Sequence, residues 1–235
     1  MKPYRRIAIQ ACSEALAPIP LERFSAVTPH PYEVLGAPYG DRSPYWLRES
    51  IIDALLQAQV YLQTLQPNWR IQIFDAYRPL AVQQFMVDYT AQQLAQEQSK
   101  SFATLTAVEQ ASILSEVYKF WALPSHDRRT PPPHSTGAAI DITLADAGGI
   151  PIDMGSPIDE VSARSHPNYF QQFAEQTCQQ MHHHRSLLKQ VMMQAGFRQH
   201  PNEWWHFSKG DQLWAWLMSQ ETQTPYTACY GRVED

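Results

Sequence analysis

Residues 134–144 read His-Ser-Thr-Gly-Ala-Ala-Ile-Asp-Ile-Thr-Leu and follow a run of three prolines at 131–133. Because proline fixes its own φ angle and lacks an N–H group, the prolines predict an irregular loop over residues 123–135. From residue 138 onward two isoleucines occupy alternate positions, which predicts a strand over residues 138–144. The stretch therefore changes from loop to strand between a histidine and an aspartate.

Other segments complete a predicted sheet around this strand. Residues 146–149, Asp-Ala-Gly-Gly, are a turn sequence that leads into a returning segment at 150–154, as in a hairpin. Residues 70–74 alternate as a strand, and residues 197–207 contain a short strand or a pair of strands. These segments predict a small antiparallel sheet.

Apolar residues at helical spacing predict several helices. Thr106 and Glu109 have the spacing of a capping box, which satisfies free amides at a helix start, and Gly196 occupies a position that ends helices. Helices are predicted at residues 46–65, 81–97, 106–120, 169–195 and 211–219. Helices combined with a small antiparallel sheet indicate an α+β fold.

The chain is predicted to form a single domain over residues 1–235. Its length is enough to bury one core of ordinary size. Residues 1–45 are rich in proline and small polar residues, and we expect them to form an extended N-terminal arm that wraps a core at residues 46–220.

The composition disfavours two classes of partner. Hydrophobic residues make up 44% of the chain and charged residues 17%, as in globular proteins that are not embedded in a membrane. A net charge of −5, with lysines and arginines scattered along the chain, gives no general attraction for nucleic-acid phosphates or anionic lipid. We expect no nucleic acid and no membrane among the partners, and the oligomeric state stays open.

The cysteines and the N-terminal residues bear on where in the cell the protein resides. Cys12, Cys178 and Cys229 lie far apart in the sequence, which indicates free thiols rather than a disulfide framework or a clustered thiolate zinc site. The apolar stretch after Arg6 is short and interrupted, whereas a secretory signal or a transmembrane helix needs a longer apolar run. The sequence therefore predicts a cytoplasmic protein.

Reactive side chains concentrate in two motifs, residues 134–141 and residues 203–206, Glu-Trp-Trp-His. Each motif alone has an ordinary interpretation, because histidines and aspartates often serve turns and caps, and the Glu-x-x-His spacing arises by chance. Together the motifs supply two imidazoles and a carboxylate as ligands, with a second carboxylate to spare. A hydrolytic zinc site needs three protein ligands, one open position and a base, so the pair of motifs predicts such a site.

The spacing within the second motif constrains its backbone. In a regular strand Glu203 and His206 would point to opposite faces, so a bend or bulge would be needed. In a helix the same spacing would bring both side chains to one face. Two adjacent tryptophans favour the strand. We expect Trp204 and Trp205 to pack and exclude water around the metal rather than contact substrate.

Three separated motifs carry a family resemblance: the two above and residues 75–79, Asp-Ala-Tyr-Arg-Pro. Over residues 46–207 the chain resembles the D-alanyl-D-alanine dipeptidase family of zinc peptidases, which is related to the D-Ala-D-Ala carboxypeptidases and to the Hedgehog domain. The resemblance implies that family's α+β fold, with the zinc site on a small antiparallel sheet flanked by helices.

The resemblance also implies a role for each matching residue. One Zn²⁺ ion would be bound by His134, Asp141 and His206. Glu203 would be the general base that activates the metal-bound water and later donates the proton, and Arg78 would stabilise the transition state. Judged from the residues alone, Arg78 would instead form a buried ion pair with Asp75.

Residues 154–159, Met-Gly-Ser-Pro-Ile-Asp, match a segment in which the family places an aspartate that binds the free ammonium of the substrate. Asp159 would thus make the enzyme a dipeptidase, because a carboxylate in a closed pocket favours a charged amine over a longer, neutral chain. Its ordinary interpretation is a turn residue. The sequence assigns none of Tyr32, Tyr39 and Tyr45 to this pocket.

The implied function is zinc-dependent hydrolysis of D-alanyl-D-alanine or a similar free dipeptide, so the expected partner is a small peptide substrate. One alternative keeps the chemistry but changes the substrate to longer cell-wall peptides, as a carboxypeptidase or endopeptidase would use. The other alternative is a zinc-bearing binding module without catalysis.

Overall fold

A computed structural model of the protein describes residues 2–233. The strands of this part of the chain are β1 (Leu16–Pro18), β2 (Ser25–Ala26), β3 (Trp46–Arg48), β4 (Arg70–Asp75), β5 (Ala139–Ala145), β6 (Arg198–Gln199) and β7 (His206–Ser208). The α-helices are α1 (Pro31–Val34), α2 (Glu49–Leu65), α3 (Leu80–Glu97), α4 (Ala107–Phe120), α5 (Gln176–Gln194) and α6 (Gln212–Thr222). The predicted α+β fold class is confirmed.

Five strands form one sheet in the order β2-β4-β5-β7-β6. The pairings β4–β5, β5–β7 and β7–β6 are antiparallel, as predicted. The edge strand β2 runs parallel to β4, so the sheet is mixed rather than purely antiparallel. β5 lies at the centre of the sheet and is buried at all of its positions, because neighbours cover both of its edges and both of its faces.

The main core lies between the sheet and helices α2 and α5. Apolar side chains of both helices and of the inner strands are fully buried there, among them Leu55, Ile142 and Val191. Each such side chain stabilises the fold by about 1.5–3 kcal/mol relative to its exposed state. A second cluster joins α3 and α4 to Tyr32 and Tyr39, and it holds α3 immediately after the 75–79 motif.

Several predicted element boundaries are confirmed. Thr106 and Glu109 form the capping box of α4: the Glu109 amide donates to Thr106 Oγ1 (3.3 Å), and the Thr106 amide donates to Glu109 Oε2 (2.9 Å). Gly196 follows α5 with a φ angle of +91°, a left-handed conformation that glycine adopts without a Cβ penalty.

Three predicted elements differ from the structure. Residues 46–48 form β3 instead of the first helical turn, because they pair with β1 and the Arg48 amide donates to the Gly137 carbonyl. The predicted helix at 169–195 is a 3₁₀ turn, Tyr169–Gln172, followed by α5 after an extended break. The returning segment at 150–154 makes a single bridge, Ala145 to Pro151, rather than a strand; the Asp146 amide donates to the Ile150 carbonyl (3.0 Å) and the Ile152 amide to the Leu144 carbonyl (2.8 Å).

Residues 2–45 also form regular secondary structure. They supply β1, β2 and α1, and Ile9 forms a parallel bridge with Ala228 near the other end of the chain. The division into an arm at 1–45 and a core at 46–220 stays a prediction.

Candidate active site

Polar side chains line up across three neighbouring strands. Asp75 on β4 lies opposite Asp141 on β5, and Asp141 lies opposite His206 on β7. Directly opposed residues of paired strands project from the same face of a sheet. The β4–β5 register shifts between Ile73 and Asp75, and such irregularities change which way the following side chain points. The sheet therefore brings three titratable groups side by side.

His134 joins this row from the loop before β5. It lies in a 3₁₀ turn, Pro133–Thr136, that ends at Gly137 with a left-handed φ angle of +69°. His134 Nε2 lies 3.1 Å from His206 Nδ1 and 3.2 Å from Asp141 Oδ2. His206 Nδ1 in turn lies 2.9 Å from Asp141 Oδ1. The three predicted ligands are buried and in mutual contact.

The second nitrogen of each ring is held by a neighbour, which determines the nitrogen left for a ligand. His134 Nδ1 lies 2.7 Å from the Ala76 carbonyl, which can only accept, so Nδ1 carries the proton and Nε2 keeps its lone pair. His206 Nε2 lies 3.4 Å from Ser208 Oγ, and with its proton on that side Nδ1 keeps its lone pair. Both free lone pairs then face Asp141.

This donor set fits a metal ion. Two imidazole lone pairs and a carboxylate at such separations repel one another unless a cation lies between them. Tetrahedral zinc with bonds of about 2.0–2.2 Å separates its ligand atoms by about 3.3 Å, close to the distances found here. The side chains of His134, Asp141 and His206 could therefore hold one metal ion.

Glu203 lies in a non-helical segment immediately before β7, with the bend at Trp204 and Trp205, so the motif is not a helix and the strand begins only at His206. The His200 amide donates to the His206 carbonyl (2.9 Å), which turns the chain back on itself. The turn brings Glu203 Oε2 to 4.0 Å from His206 Nδ1. Burial raises the pKa of Glu203 to about 7; His206 opposes the shift, and the negative charge of Asp141 adds to it.

The two tryptophans of this motif are both buried, as expected, at 2% and 3% exposure. Trp204 packs in the main core, and its Nε1 donates to Ser156 Oγ (3.0 Å). Trp205 also belongs to the core, but one side of it lines the cavity next to the metal ligands.

Arg78 is held in one orientation from several directions. Its Nε and Nη2 donate to Asp75 Oδ2 at 3.0 and 2.7 Å, so the buried ion pair predicted from the residues alone is present. Its Nη1 donates to Gln83 Oε1 (3.1 Å), and its guanidinium carbon lies 5.1 Å from the ring centre of Tyr32 and 5.0 Å from that of Trp121. Arg78 nonetheless lines the cavity, with Nη2 3.4 Å from Asp141 Oδ2.

Asp159 lines the same cavity and contacts the buried Tyr32. The Tyr32 hydroxyl donates to Asp159 Oδ2 at 2.6 Å, so of the three tyrosines that the sequence left unassigned Tyr32 is the one that contacts Asp159. Burial and the negative charge of Asp141 raise the pKa of Asp159 to about 7, while Arg78 and the Tyr32 hydrogen bond oppose the shift. Asp159 has a left-handed φ angle of +64°, a conformation that aspartate tolerates better than most residues.

All six predicted site residues line this one cavity. It is also lined by Lys2, Tyr4, Gln83, Phe120, Trp121, Ala122, Pro133, His200 and Trp205. The sequence did not predict that Lys2 and Tyr4 line this cavity, and it left Tyr32 unassigned, because nothing local in the N-terminal segment indicates that it reaches the motifs. His200 could have been noticed, since it stands three residues before Glu203.

A buried His/Asp/His group that could hold a metal ion, with a further carboxylate beside it and an adjoining cavity, is the arrangement found in metal-dependent hydrolases. The family model described as D-ala-D-ala dipeptidase matches residues 25–226. The chain belongs to this family and is therefore a hydrolytic peptidase.

Individual relatives agree with the family. The chain is 49% identical over 241 residues to a D-alanyl-D-alanine dipeptidase of Synechocystis sp., covering 100% of this chain and 98% of that protein. A D-alanyl-D-alanine dipeptidase of Enterococcus faecalis is 26% identical over 161 residues, covering 68% and 70%. The LdcB LD-carboxypeptidase structure aligns with a TM-score of 0.43 at 13% identity, covering 79% of this chain and 69% of that one.

Among residues 2–233, no helix has the length and apolar character needed to cross a lipid bilayer.

Proposed function

We propose that this chain hydrolyses D-alanyl-D-alanine, or a closely similar free dipeptide, with one zinc ion. The observation that carries the proposal is the convergence of the His/Asp/His donor group, Glu203 and Asp159 on one cavity. The similarity over the whole chain to a protein named D-alanyl-D-alanine dipeptidase supports the choice of substrate.

The proposed zinc ligands are His134, Asp141 and His206. In an ion held by these side chains, the chemistry supplied would be polarisation of the scissile carbonyl and a lowering of the pKa of a coordinated water to about 7. The Ala76 carbonyl and Ser208 Oγ hold the second ring nitrogens of the two histidines, which keeps the free nitrogens directed at a common point.

Glu203 is the proposed general base. A carboxylate with a pKa of about 7 can accept a proton from the attacking water and return it to the leaving amine at neutral pH. Arg78 is the proposed stabiliser of the negative charge that develops on the carbonyl oxygen. Its fixation by Asp75 and Gln83 means that little reorganisation is needed during the reaction.

Asp159, with Tyr32, is the proposed binding site for the free ammonium group of the substrate. A carboxylate there binds a charged amine by a charge-assisted hydrogen bond. An N-acylated peptide has no positive charge at that end, and its acyl group needs additional space. This recognition is the basis for proposing a dipeptidase rather than an enzyme that acts on longer chains.

The test is a hydrolysis screen of free and N-acetylated D,D- and L,D-dipeptides, with metal content measured in the same preparation. We expect one zinc per chain, rapid cleavage of free D-alanyl-D-alanine, and cleavage of the N-acetylated form at least about 100-fold slower, as expected for loss of a buried charge pair. Equal cleavage of N-acetylated peptides would instead favour a carboxypeptidase or endopeptidase. Zinc binding without hydrolysis of any substrate would favour a binding module.

Cytoplasmic residence also stays a prediction. Fractionation of cells that express the chain with a C-terminal tag tests it, and recovery with the membrane or outside the cell would contradict it.

A further inference from the structure

A free dipeptide presents two charges at neutral pH, an ammonium and a carboxylate. Under the proposed function, on which this inference rests, Asp159 accounts for the ammonium only. A carboxylate that enters a partly buried cavity must recover its lost hydration through hydrogen-bond donors or a cation.

The backbone and hydroxyl groups beside the metal ligands offer little to a carboxylate. Pro132 and Pro133 have no N–H groups. The hydroxyls of Ser135 and Thr136 donate to the carbonyls of Pro132 and Pro133 at 2.7 and 2.6 Å. The hydroxyl groups of Ser135 and Thr136 therefore already donate within the loop that carries His134, and they are not available to a substrate carboxylate.

The cations that line the cavity differ in how far they are engaged. The Arg78 guanidinium is engaged by Asp75 and Gln83 and stacks between two aromatic rings. Lys2 is the other permanent cation among the described lining residues. No carboxylate of residues 2–233 lies within ion-pair distance of the Lys2 ammonium group. Among the acidic residues, Glu203 has the largest electrostatic effect on the pKa of Lys2.

The backbone of the N-terminal segment fixes Lys2 at this place. Residues Pro3–Arg6 form a 3₁₀ turn in which Tyr4 is buried, and the Arg5 amide donates to the Lys2 carbonyl (3.2 Å). Further along, Gln212 on α6 donates to the Ile7 carbonyl (2.6 Å), and Ile9 bridges Ala228. Lys2 is thus half-buried against the cavity instead of extending into solvent.

Burial makes this position costly for an ammonium group. Burial lowers the pKa of Lys2, and the negative charge of Glu203 opposes that shift without cancelling it. A bound anion would compensate the lost hydration, so the site is electrostatically better suited to an anionic group than to water alone.

We propose that Lys2 binds the C-terminal carboxylate of the dipeptide substrate and thereby determines specificity for a free C-terminus. Different parts of the chain then bind the two ends of the dipeptide. Asp159 and Tyr32 bind the ammonium group, and Lys2 in the N-terminal segment binds the carboxylate. The scissile bond lies between them, beside Glu203 and the metal ligands.

The test compares wild type, Lys2→Met and Lys2→Arg on D-alanyl-D-alanine and on its C-terminal amide, in proteins tagged only at the C-terminus. We expect Lys2→Met to raise KM for the dipeptide about 10–100-fold with kcat changed by less than about threefold, because a charged hydrogen bond used in binding is lost. The amide should respond weakly to the substitution, and Lys2→Arg should recover most of the affinity. Lys100→Met, an exposed lysine paired with Glu109, is the matched control and should behave as wild type.

The outcomes separate this inference from the proposed function. If wild type hydrolyses the dipeptide and folded, zinc-loaded Lys2→Met keeps the wild-type KM, the role of Lys2 is excluded and the proposed function stands. A fall in kcat at unchanged KM also excludes carboxylate binding. If wild type hydrolyses neither compound, the proposed function itself fails and this inference with it.

Discussion

Two carboxyl groups in the cavity share a raised pKa of about 7 but have different neighbours. Glu203 lies next to His206, whereas Asp159 receives a hydrogen bond from Tyr32. Burial is the largest cause of both shifts, since it disfavours the charged form of any carboxyl group. At the residue scale, these different neighbours are the basis for proposing proton transfer for Glu203 and substrate binding for Asp159.

Glu203→Gln should lower kcat about 10²–10⁴-fold, because the amide cannot accept a proton from water. The shape of the side chain is retained, so zinc content and melting temperature should stay close to wild type. Steady-state kinetics, metal analysis and thermal melting measure the three quantities. Glu116→Gln, which removes an exposed acid, is the control, and a Glu203→Gln enzyme within tenfold of wild type would exclude the proposed base.

The affinity for a free dipeptide should depend on the ionisation of Asp159. Its pKa of about 7 means that the carboxyl group is neutral below that pH and charged above it, while the α-amino group of a peptide stays protonated up to about pH 8. Binding should therefore strengthen as pH rises from 5.5 to 7.5 and weaken as it falls. Calorimetry on metal-free Glu203→Gln, in which both the metal and the proposed base are missing, measures binding with little turnover. Asp159→Asn should bind weakly with a flat pH profile; a sloped profile in that variant would contradict the assignment.

At the scale of single elements, the turn before β5 determines where His134 lies. Gly137 ends that turn with a φ angle of +69°, and a Cβ atom there would overlap the Leu16 side chain of β1. The Gly137 carbonyl also accepts from the Arg48 amide of β3. The position of the histidine thus depends on close packing between the turn and a two-stranded sheet of the N-terminal half.

Gly137→Ala should lower the free energy of unfolding by about 2–5 kcal/mol. A left-handed φ angle costs about 1–2 kcal/mol for a residue with a Cβ atom, and overlap with Leu16 adds about 1–3 kcal/mol. Gly149→Ala is the matched control, because Gly149 has a similar φ angle of +79° with nothing within 4 Å of the added Cβ atom. Urea unfolding of both variants measures the difference. Equal losses would mean that packing against Leu16 contributes nothing.

At the scale of the whole molecule, a metal ion would connect parts of the chain that are distant in sequence. His134 comes from a loop, Asp141 from the central strand and His206 from a neighbouring strand. The unfolded chain does not hold these groups together, so an ion that binds only the folded state stabilises it by mass action.

Zinc at 100 times its dissociation constant should raise the free energy of unfolding by about 2.7 kcal/mol and the melting temperature by about 5–10 °C. Chelation should reverse the change. His134→Ala should fold but lose the response to zinc, whereas His183→Ala, an exposed histidine on α5, should keep it. Thermal melting with and without zinc tests both, and an unchanged response in His134→Ala would exclude that ligand.

The sequence by itself determined the features that depend on nearby residues. The helical periodicity, the Thr106–Glu109 capping box, Gly196 at the end of α5 and the two reactive motifs follow from spacings of a few residues. Only the tertiary structure decided what depends on distant segments, such as the contact between Tyr32 and Asp159, 127 positions apart, and the arrival of Lys2 in the cavity that Glu203 also lines. The strand at 46–48 belongs to the same category, since its partner β1 overrides the helical pattern. The physical reason is that local preferences are set by short-range sterics and hydrogen bonds, while the burial of a polar group is set by whatever the completed fold places around it.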